Sequence, residues 1–414
     1  MKMSDIAVTG IGVIASMGIG REAFWESCRQ ARTGLKKITA FDTSPFAANV
    51  AGWVDGFEPR EFMPPRAYRR MSRISRLAVC SSVEALHDSG LNFENQKKER
   101  IAVILGTAYG SSSHVDEFFT SLLKDGPRGA QPFLFPETVP NAPASHIAMF
   151  HGITGPNTTF CQNEISAENA MLYARNLLLQ GLVDVALAGG ADELSAMQYS
   201  CYHALGVLNK IKVTHDEPAT PKPGGGLVLG EGAGTLVMER LDSAVRRGAK
   251  IYGILKSGAL TGGPAPMGHY EAEGGQMGRA MSLAIKQAHL CPDDIDHIDV
   301  SANFSAELDR IEHHQLKIIF SKRASDLAVT PLKYLMGDFG GAGIIRAAAI
   351  LLSLYRRQPL PVLNAEVLTA GPQDVLKWAI PSRRNIQTAL MTSSSFGGGS
   401  CSLIFTGHSK IESL

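Results

Sequence analysis

The residues best suited to covalent or acid–base chemistry lie between Gly155 and Gly190, in the run GPNTTFCQNEISAENAMLYARNLLLQGLVDVALAGG. A Gly155-Pro156 turn opens it, and the β-prone residues Thr158, Thr159, Phe160 and Cys161 follow. Apolar residues at Ile165, Met171, Leu172 and Leu178 then predict a buried helix ending near Gly181. Residues 183–188 predict a buried strand, stopped by Gly189-Gly190. A strand that turns abruptly into a helix holds its junction residue against the helix N-terminus. There the macrodipole favours negative charge and lowers a thiol's pKa. Of the side chains near that junction, Cys161 is the nearest thiol but falls on the strand, and Glu164 could act as a general base.

A second concentration is basic. The run RAYRRMSRISR carries Arg66, Arg69, Arg70, Arg73 and Arg76. Arg69, Arg73 and Arg76 fall at i, i+4 and i+7, which predicts a single helix face. Such a face is either plainly solvated or a landing site that steers an acidic partner electrostatically.

The elements that must position these groups alternate. Residues 6–12, IAVTGIG, read as a buried strand entering a glycine turn. Gly10-x-Gly12 is a weak dinucleotide signal, since the third glycine and the acidic ribose partner are missing. Residues 101–107 are a second buried strand. Further strands are expected at 250–258, 297–302, 386–393 and 401–406, with helices at 274–290, 307–321 and 342–355. Alternating strands and helices argue for a parallel α/β architecture.

Composition sets the bounds. The chain has 414 residues, 44% of them hydrophobic, so a large core is available. A net charge of +1 gives no reason to expect nucleic-acid binding. Cys28, Cys80, Cys161, Cys201, Cys291 and Cys401 show no CxxC and read as reduced thiols. The start, MKMSDIAVTGIG, has no apolar signal core. No apolar run approaches the ~18 residues of a membrane span; residues 344–354 are short and carry Arg346. A cytoplasmic protein without metal or cofactor is expected.

The 155–190 segment resembles the active-site segment of β-ketoacyl-acyl carrier protein synthases. Gly155-Pro156, Gly181, Asp184 and Ala188-Gly189-Gly190 fall on that family's landmarks without a gap, and the nucleophilic Cys position is then Glu164. Gly230–Ala233, within GGLVLGEGAGTLVMER, and Phe396-Gly397-Gly398 match further family signatures. The stretch Lys222-Pro223-Gly224 departs from the family's usual charged run. The resemblance implies a thiolase-like fold of the α/β class. Two similar halves, 1–245 and 246–414, would build a five-layered α-β-α-β-α core. It also implies a Cys-His-His site, with the thiol carrying the acyl chain and two imidazoles stabilising an enolate. Here Asn303 holds the first His position, and Asp338 the second, in Lys333-Tyr334-Leu335-Met336-Gly337-Asp338. Lys333 is retained, and Asp309 and Glu312 match family acidic residues.

What the resemblance implies about use follows from those losses. A carboxylate forms no thioester, and an anion at the second His position repels an enolate, by roughly 4 kcal/mol at contact even at an effective dielectric of 20. The chain therefore looks like the non-condensing partner of a type II polyketide synthase, the chain length factor. Such a subunit pairs with an active ketosynthase as a heterodimer, meets an acyl carrier protein, and bounds the elongation tunnel. Tyr109, Phe133, Leu134, Phe135, Thr138 and Phe396 match tunnel positions, and the arginines of 66–76 would meet the carrier. For Phe133 and Phe135, ordinary core packing is the competing reading; Asn141 and His146 match structural positions. Aromatic-polyketide subunits usually carry Gln at the Cys position, so Glu164 leaves an aryl-polyene or other reducing system open. Two other readings stand beside this one: a malonyl decarboxylase using Glu164, and an acyl-binding or scaffolding homodimer.

Overall fold

The computed structural model describes residues 5–215, 218–321, 327–363 and 386–408. Ten strands carry the architecture. The first five are β1 (Ile6–Ala15), β2 (Ile101–Gly106), β3 (Asn157–Phe160), β4 (Val185–Asp192) and β5 (Gly232–Arg240). The second five are β6 (Gly253–Gly262), β7 (His297–Asp299), β8 (Val329–Thr330), β9 (Thr388–Ser394) and β10 (Gly399–Thr406). The first set lies in the order β3-β2-β4-β5-β1, and the second in the order β8-β7-β9-β10-β6. Each is the order third, second, fourth, fifth, first. Directions repeat as well: β2 runs parallel to β3 and β4, as β7 does to β8 and β9, and the remaining neighbours are antiparallel. The two sets meet at their first strands, where Ile6 faces Leu255 and Val8 faces Gly253 in antiparallel register. The chain thus repeats one topology about a pseudo-twofold axis, without a visible sequence repeat.

Helices separate the sheets into layers. The helices α1 (Arg73–Ser89) and α2 (Ala142–His151) cover the outer face of the first sheet. In the middle, α3 (Ser166–Leu179) packs on α8 (Ala342–Arg356), with strands on either side. On the far side, α5 (Gly275–Gln287) and α6 (Ala306–Phe320) cover the second sheet; the short helices α4 (Ala196–Ala204) and α7 (Lys333–Met336) lie between these elements in sequence. The result is the five-layered α-β-α-β-α arrangement expected of a thiolase-like fold. Sandwiching explains the sequence: β1 is buried at all ten positions, so it reads as a continuous apolar run rather than an alternating one. Each fully buried aliphatic side chain contributes about 1.5–3 kcal/mol, which makes the central layer the main source of stability.

Close helix–strand approach accounts for Gly10 and Gly12. A Cβ at Gly12 would stand 2.0 Å from the Ser81 carbonyl oxygen, and one at Gly10 2.2 Å from that of Ala85. These glycines let α1 lie directly on β1, and no phosphate cradle is involved.

The basic run is not one helix face. A short helix, Pro65–Tyr68, ends before Arg69, and α1 starts afresh at Arg73. Ser72 sits between them in extended backbone and caps α1, its Oγ accepting from the Ser75 N–H. A capping serine satisfies an otherwise orphaned N–H and sets a new helix start, which overrides the i, i+4, i+7 spacing.

Candidate functional site

The strand-to-helix junction forms where the sequence places it. The strand β3 ends at Phe160, Cys161 lies exposed just beyond, and Asn163 turns the chain with φ 48°. Asn tolerates this left-handed conformation better than most residues. A single 3-10 turn, Asn163–Ile165, then enters α3, where the Ala167 N–H is pinned to the Gly340 carbonyl. Glu164 therefore occupies the turn, facing inward and only 3% exposed. Partial burial raises the Cys161 thiol rather than lowering it, so the one thiol near the junction is not activated.

Glu164 is held at both oxygens. The Tyr202 hydroxyl, from α4, donates to Oε1 at 3.1 Å, and the Phe396 N–H donates to Oε2 at 3.1 Å. Burial, with the charge of Asp338 adding to it and Lys333 opposing, pushes the carboxyl up to about 7. Desolvation thus outweighs the helix N-terminus, which alone would favour the anion.

The second half supplies the facing groups. Asn303 follows β7, and its Nδ2 donates to the Tyr270 hydroxyl at 2.9 Å and to Asp338 Oδ2 at 2.7 Å. Both hydrogens of that amide are then spent. Asp338 follows Gly337, whose φ of 82° folds the chain back after α7. This return places Asp338 Oδ1 2.7 Å from Lys333 Nζ, with both side chains buried. Lys333 thus pairs with Asp338, not with Glu164. The acidic pair downstream is structural. Glu312 accepts the Ser301 and Ala302 N–H groups, and Asp309 accepts the Asn303 N–H and the Tyr334 hydroxyl.

Tyr202 and Tyr270 carry no motif, and sequence reading missed both. Their rings flank Phe396, with centroids 6.1 and 4.9 Å from it. Tyr109 extends the chain of hydroxyls, donating to the Tyr202 hydroxyl at 3.1 Å with the rings edge to face. Arg346 was legible only as a charge inside an apolar run. It is fully buried in α8 and donates to Asp299, Ser393 and the Thr392 carbonyl, tying the central helix to β7 and β9.

Two cavities flank this centre. One, of about 460 Å³, is lined by Gln162, Asn163, Asn169, Leu260, Thr261 and Phe396 among others. The other, of about 450 Å³, opens between Val207, Gly225, Met267, His269, Glu307 and the same Phe396. Among the described residues no cluster of His, Cys, Asp and Glu could hold a metal ion, and no helix is long and apolar enough to cross a membrane.

Comparison with known proteins identifies the architecture. Residues 3–244 match the family model of the β-ketoacyl synthase N-terminal domain, and residues 252–366 that of its C-terminal domain. The chain belongs to the β-ketoacyl synthase family. The tetracenomycin polyketide synthase ketoacyl synthase alpha subunit of Streptomyces glaucescens is 31% identical over 95% of both chains. A β-ketoacyl synthase from Burkholderia phymatum STM815 superposes with a TM-score of 0.87 at 25% identity, covering 98% of this chain and 100% of that one. The ishigamide ketosynthase/chain length factor structure has the same fold, with a TM-score of 0.86 at 24% identity and the same coverage.

The remaining residues singled out in the sequence do not gather in one place. Phe396 borders both cavities, whereas Tyr109 borders neither and belongs to the hydroxyl chain. Phe133 and Phe135 are 61% and 58% exposed, so neither packs in this chain's core. Leu134 is buried, and Thr138 Oγ1 bonds back to the Phe135 carbonyl. The loop is anchored by buried Glu137, which accepts from Ser72 and Ser75 and pairs with His146. Arg66, Arg69 and Arg70 are exposed. Arg73 instead donates through Nε and Nη2 to buried Glu231, and Arg76 lies half-buried over the Tyr68 ring.

Proposed function

We propose that this chain is a non-condensing β-ketoacyl synthase subunit, a chain length factor that pairs with an active ketosynthase and bounds the tunnel in which an acyl or polyketide chain grows. The observation that carries this reading is the closed, internally bonded centre. At the three positions where a condensing enzyme needs a thiol and two imidazoles, Glu164, Asn303 and Asp338 bond to Tyr202, Phe396, Tyr270 and Lys333. No nucleophile stands there, and both hydrogens of the Asn303 amide are spent on Tyr270 and Asp338 rather than free for an enolate oxygen. The same closure argues against decarboxylation by Glu164, because a general base must reach its substrate.

Pairing is supported by the surface beside β3. Among the described residues, that strand bonds only to β2 and leaves its other edge unpaired. Exposed Met149 lies on α2, which packs beside it, and exposed Phe133, Phe135 and Val139 lie on the loop that leads into α2. An open strand edge beside exposed aromatics is a template for association. The ishigamide structure joins a ketosynthase with a chain length factor. For the present chain the partner would be an intact Cys-His-His synthase, across an apolar interface of roughly 2,000 Å² or more. An acyl carrier protein would meet the exposed arginines Arg66, Arg69 and Arg70.

Co-expression with a candidate synthase and copurification through a tag on one chain tests the reading. A stoichiometric complex is expected. A monodisperse homodimer that ignores every co-expressed synthase would leave the acyl-binding or scaffolding reading in its place.

A further inference from the structure

We infer that Tyr202, Tyr270 and Phe396 form a plug that fills the space beside Glu164 and keeps a pantetheine arm in the flanking cavities from reaching it. The inference rests on the proposed function in one respect: it takes Glu164 to occupy the nucleophile position.

The geometry is specific. Glu164, Asn303 and Asp338 are 3%, 1% and 1% exposed, and none of them lines either flanking cavity. Phe396 borders both cavities and is itself 3% exposed, so it forms the wall between them. Tyr202 and Tyr270 stand against this ring and are each 3% exposed. Both are locked by hydrogen bonds to the degenerate centre: Tyr202 to Glu164, and Tyr270 to Asn303. The Phe396 backbone is locked to the same carboxyl.

The plug thus joins both halves of the chain, α4 and the 162–165 turn from the first with the 270 loop, Asn303 and Phe396 from the second. Each polar replacement at a catalytic position holds a part of it. Glu164 accepts from both Tyr202 and Phe396, and Asn303 donates to Tyr270. Opening this dry, hydrogen-bonded site would strand several polar groups at once. Tyr202 and Tyr270 are therefore positioning residues for occlusion.

The test measures access to position 164. The variant Glu164→Cys is treated with a chloroacetyl-pantetheine amide, and alkylation is mapped by peptide mass spectrometry, with exposed Cys161 as the internal standard. In Glu164→Cys alone, position 164 should react at least about 100-fold more slowly than Cys161, because a buried thiol is inert. Adding Tyr202→Ala and Tyr270→Ala should raise that rate at least about 30-fold, since a truncated ring leaves space that a ligand can fill. Adding Tyr270→Phe, which keeps the ring, should not raise it. Circular dichroism checks the fold, and if the double alanine variant fails to fold, Tyr270→Ser carries the comparison. Reaction of Glu164→Cys as fast as Cys161, or no gain in a folded opened variant, overturns the plug. A chain that never pairs with a synthase would still show the predicted labelling, so failure of the proposed function reads out separately.

Discussion

Lys333 and Asp338 form a buried ion pair, with Nζ 2.7 Å from Oδ1, across the single short helix that separates them in sequence. In the proposed reading, Asp338 takes the place that an imidazole holds in a condensing synthase, and the retained lysine faces it. Removing one partner of a buried pair strands the other charge. Lys333→Met should therefore cost about 3–5 kcal/mol, whereas Lys333→Met with Asp338→Leu should cost much less. A double-mutant cycle read by denaturant unfolding measures this. Additive single effects would mean that the two charges do not depend on each other.

Glu164 makes stability depend on pH with a definite sign. Its folded pKa, about 7, is raised above its unfolded value of 4.5. The folded state therefore binds more protons between these values, and the carboxyl's contribution is lost as pH rises through 7. Glu164→Gln, an isostere that is never charged, should be close to neutral at pH 4.5. Above pH 7.5 it should be stabilising relative to the parent chain, on the order of 3 kcal/mol at most. Unfolding midpoints of both proteins across pH 4.5–8.5 test this; parallel curves would contradict it.

The arginines of 66–76 divide into two groups with opposite signatures. Arg73 binds Glu231, which is 1% exposed in its side chain and also accepts the Val54 and Leu194 N–H groups. Arg73→Ala should destabilise the fold by about 2–3 kcal/mol, as loss of a hydrogen bond to a buried charged group does. Replacing Arg66, Arg69 and Arg70 by Ala should change stability by less than about 0.5 kcal/mol, as exposed charges do. It should weaken carrier-protein binding and reduce that binding's salt dependence. Titration at two ionic strengths separates the groups. Unchanged affinity in the triple variant would remove the carrier from this surface.

Much of this was readable from the chain, for identifiable reasons. Strands such as β1 and β4 are buried on both faces and announce themselves as apolar runs. The turn at Glu164 was legible because its flanks, Gly155-Pro156 and Ala188-Gly189-Gly190, match the family pattern in length. Tyr202 and Tyr270 were not legible, because each is a lone aromatic whose role depends on residues more than thirty positions away. The partner of Lys333 was missed because Gly337, at positive φ, turns the chain back onto it. The break before Arg73 did leave a signal, since Ser72 precedes the apolar periodicity of α1 as an N-cap does.

Phe133 and Phe135 should matter for association and not for folding. Both are more than half exposed, so Phe133→Ala with Phe135→Ala removes little buried area from the single chain. Its unfolding free energy should change by less than about 1 kcal/mol. Aromatic anchors in an interface often cost 2 kcal/mol or more when truncated, so binding to the synthase should weaken by roughly 30-fold or more. Analytical ultracentrifugation of the co-purified pair measures the loss. Full retention of the complex would place the interface elsewhere.

Native mass spectrometry of the chain co-expressed with an intact synthase and loaded carrier protein reads pairing and acylation together. A 1:1 heterodimer is expected, with the acyl group carried by the synthase chain alone. Self-association that ignores the synthase, or an acyl adduct on the present chain, would contradict a non-condensing partner subunit.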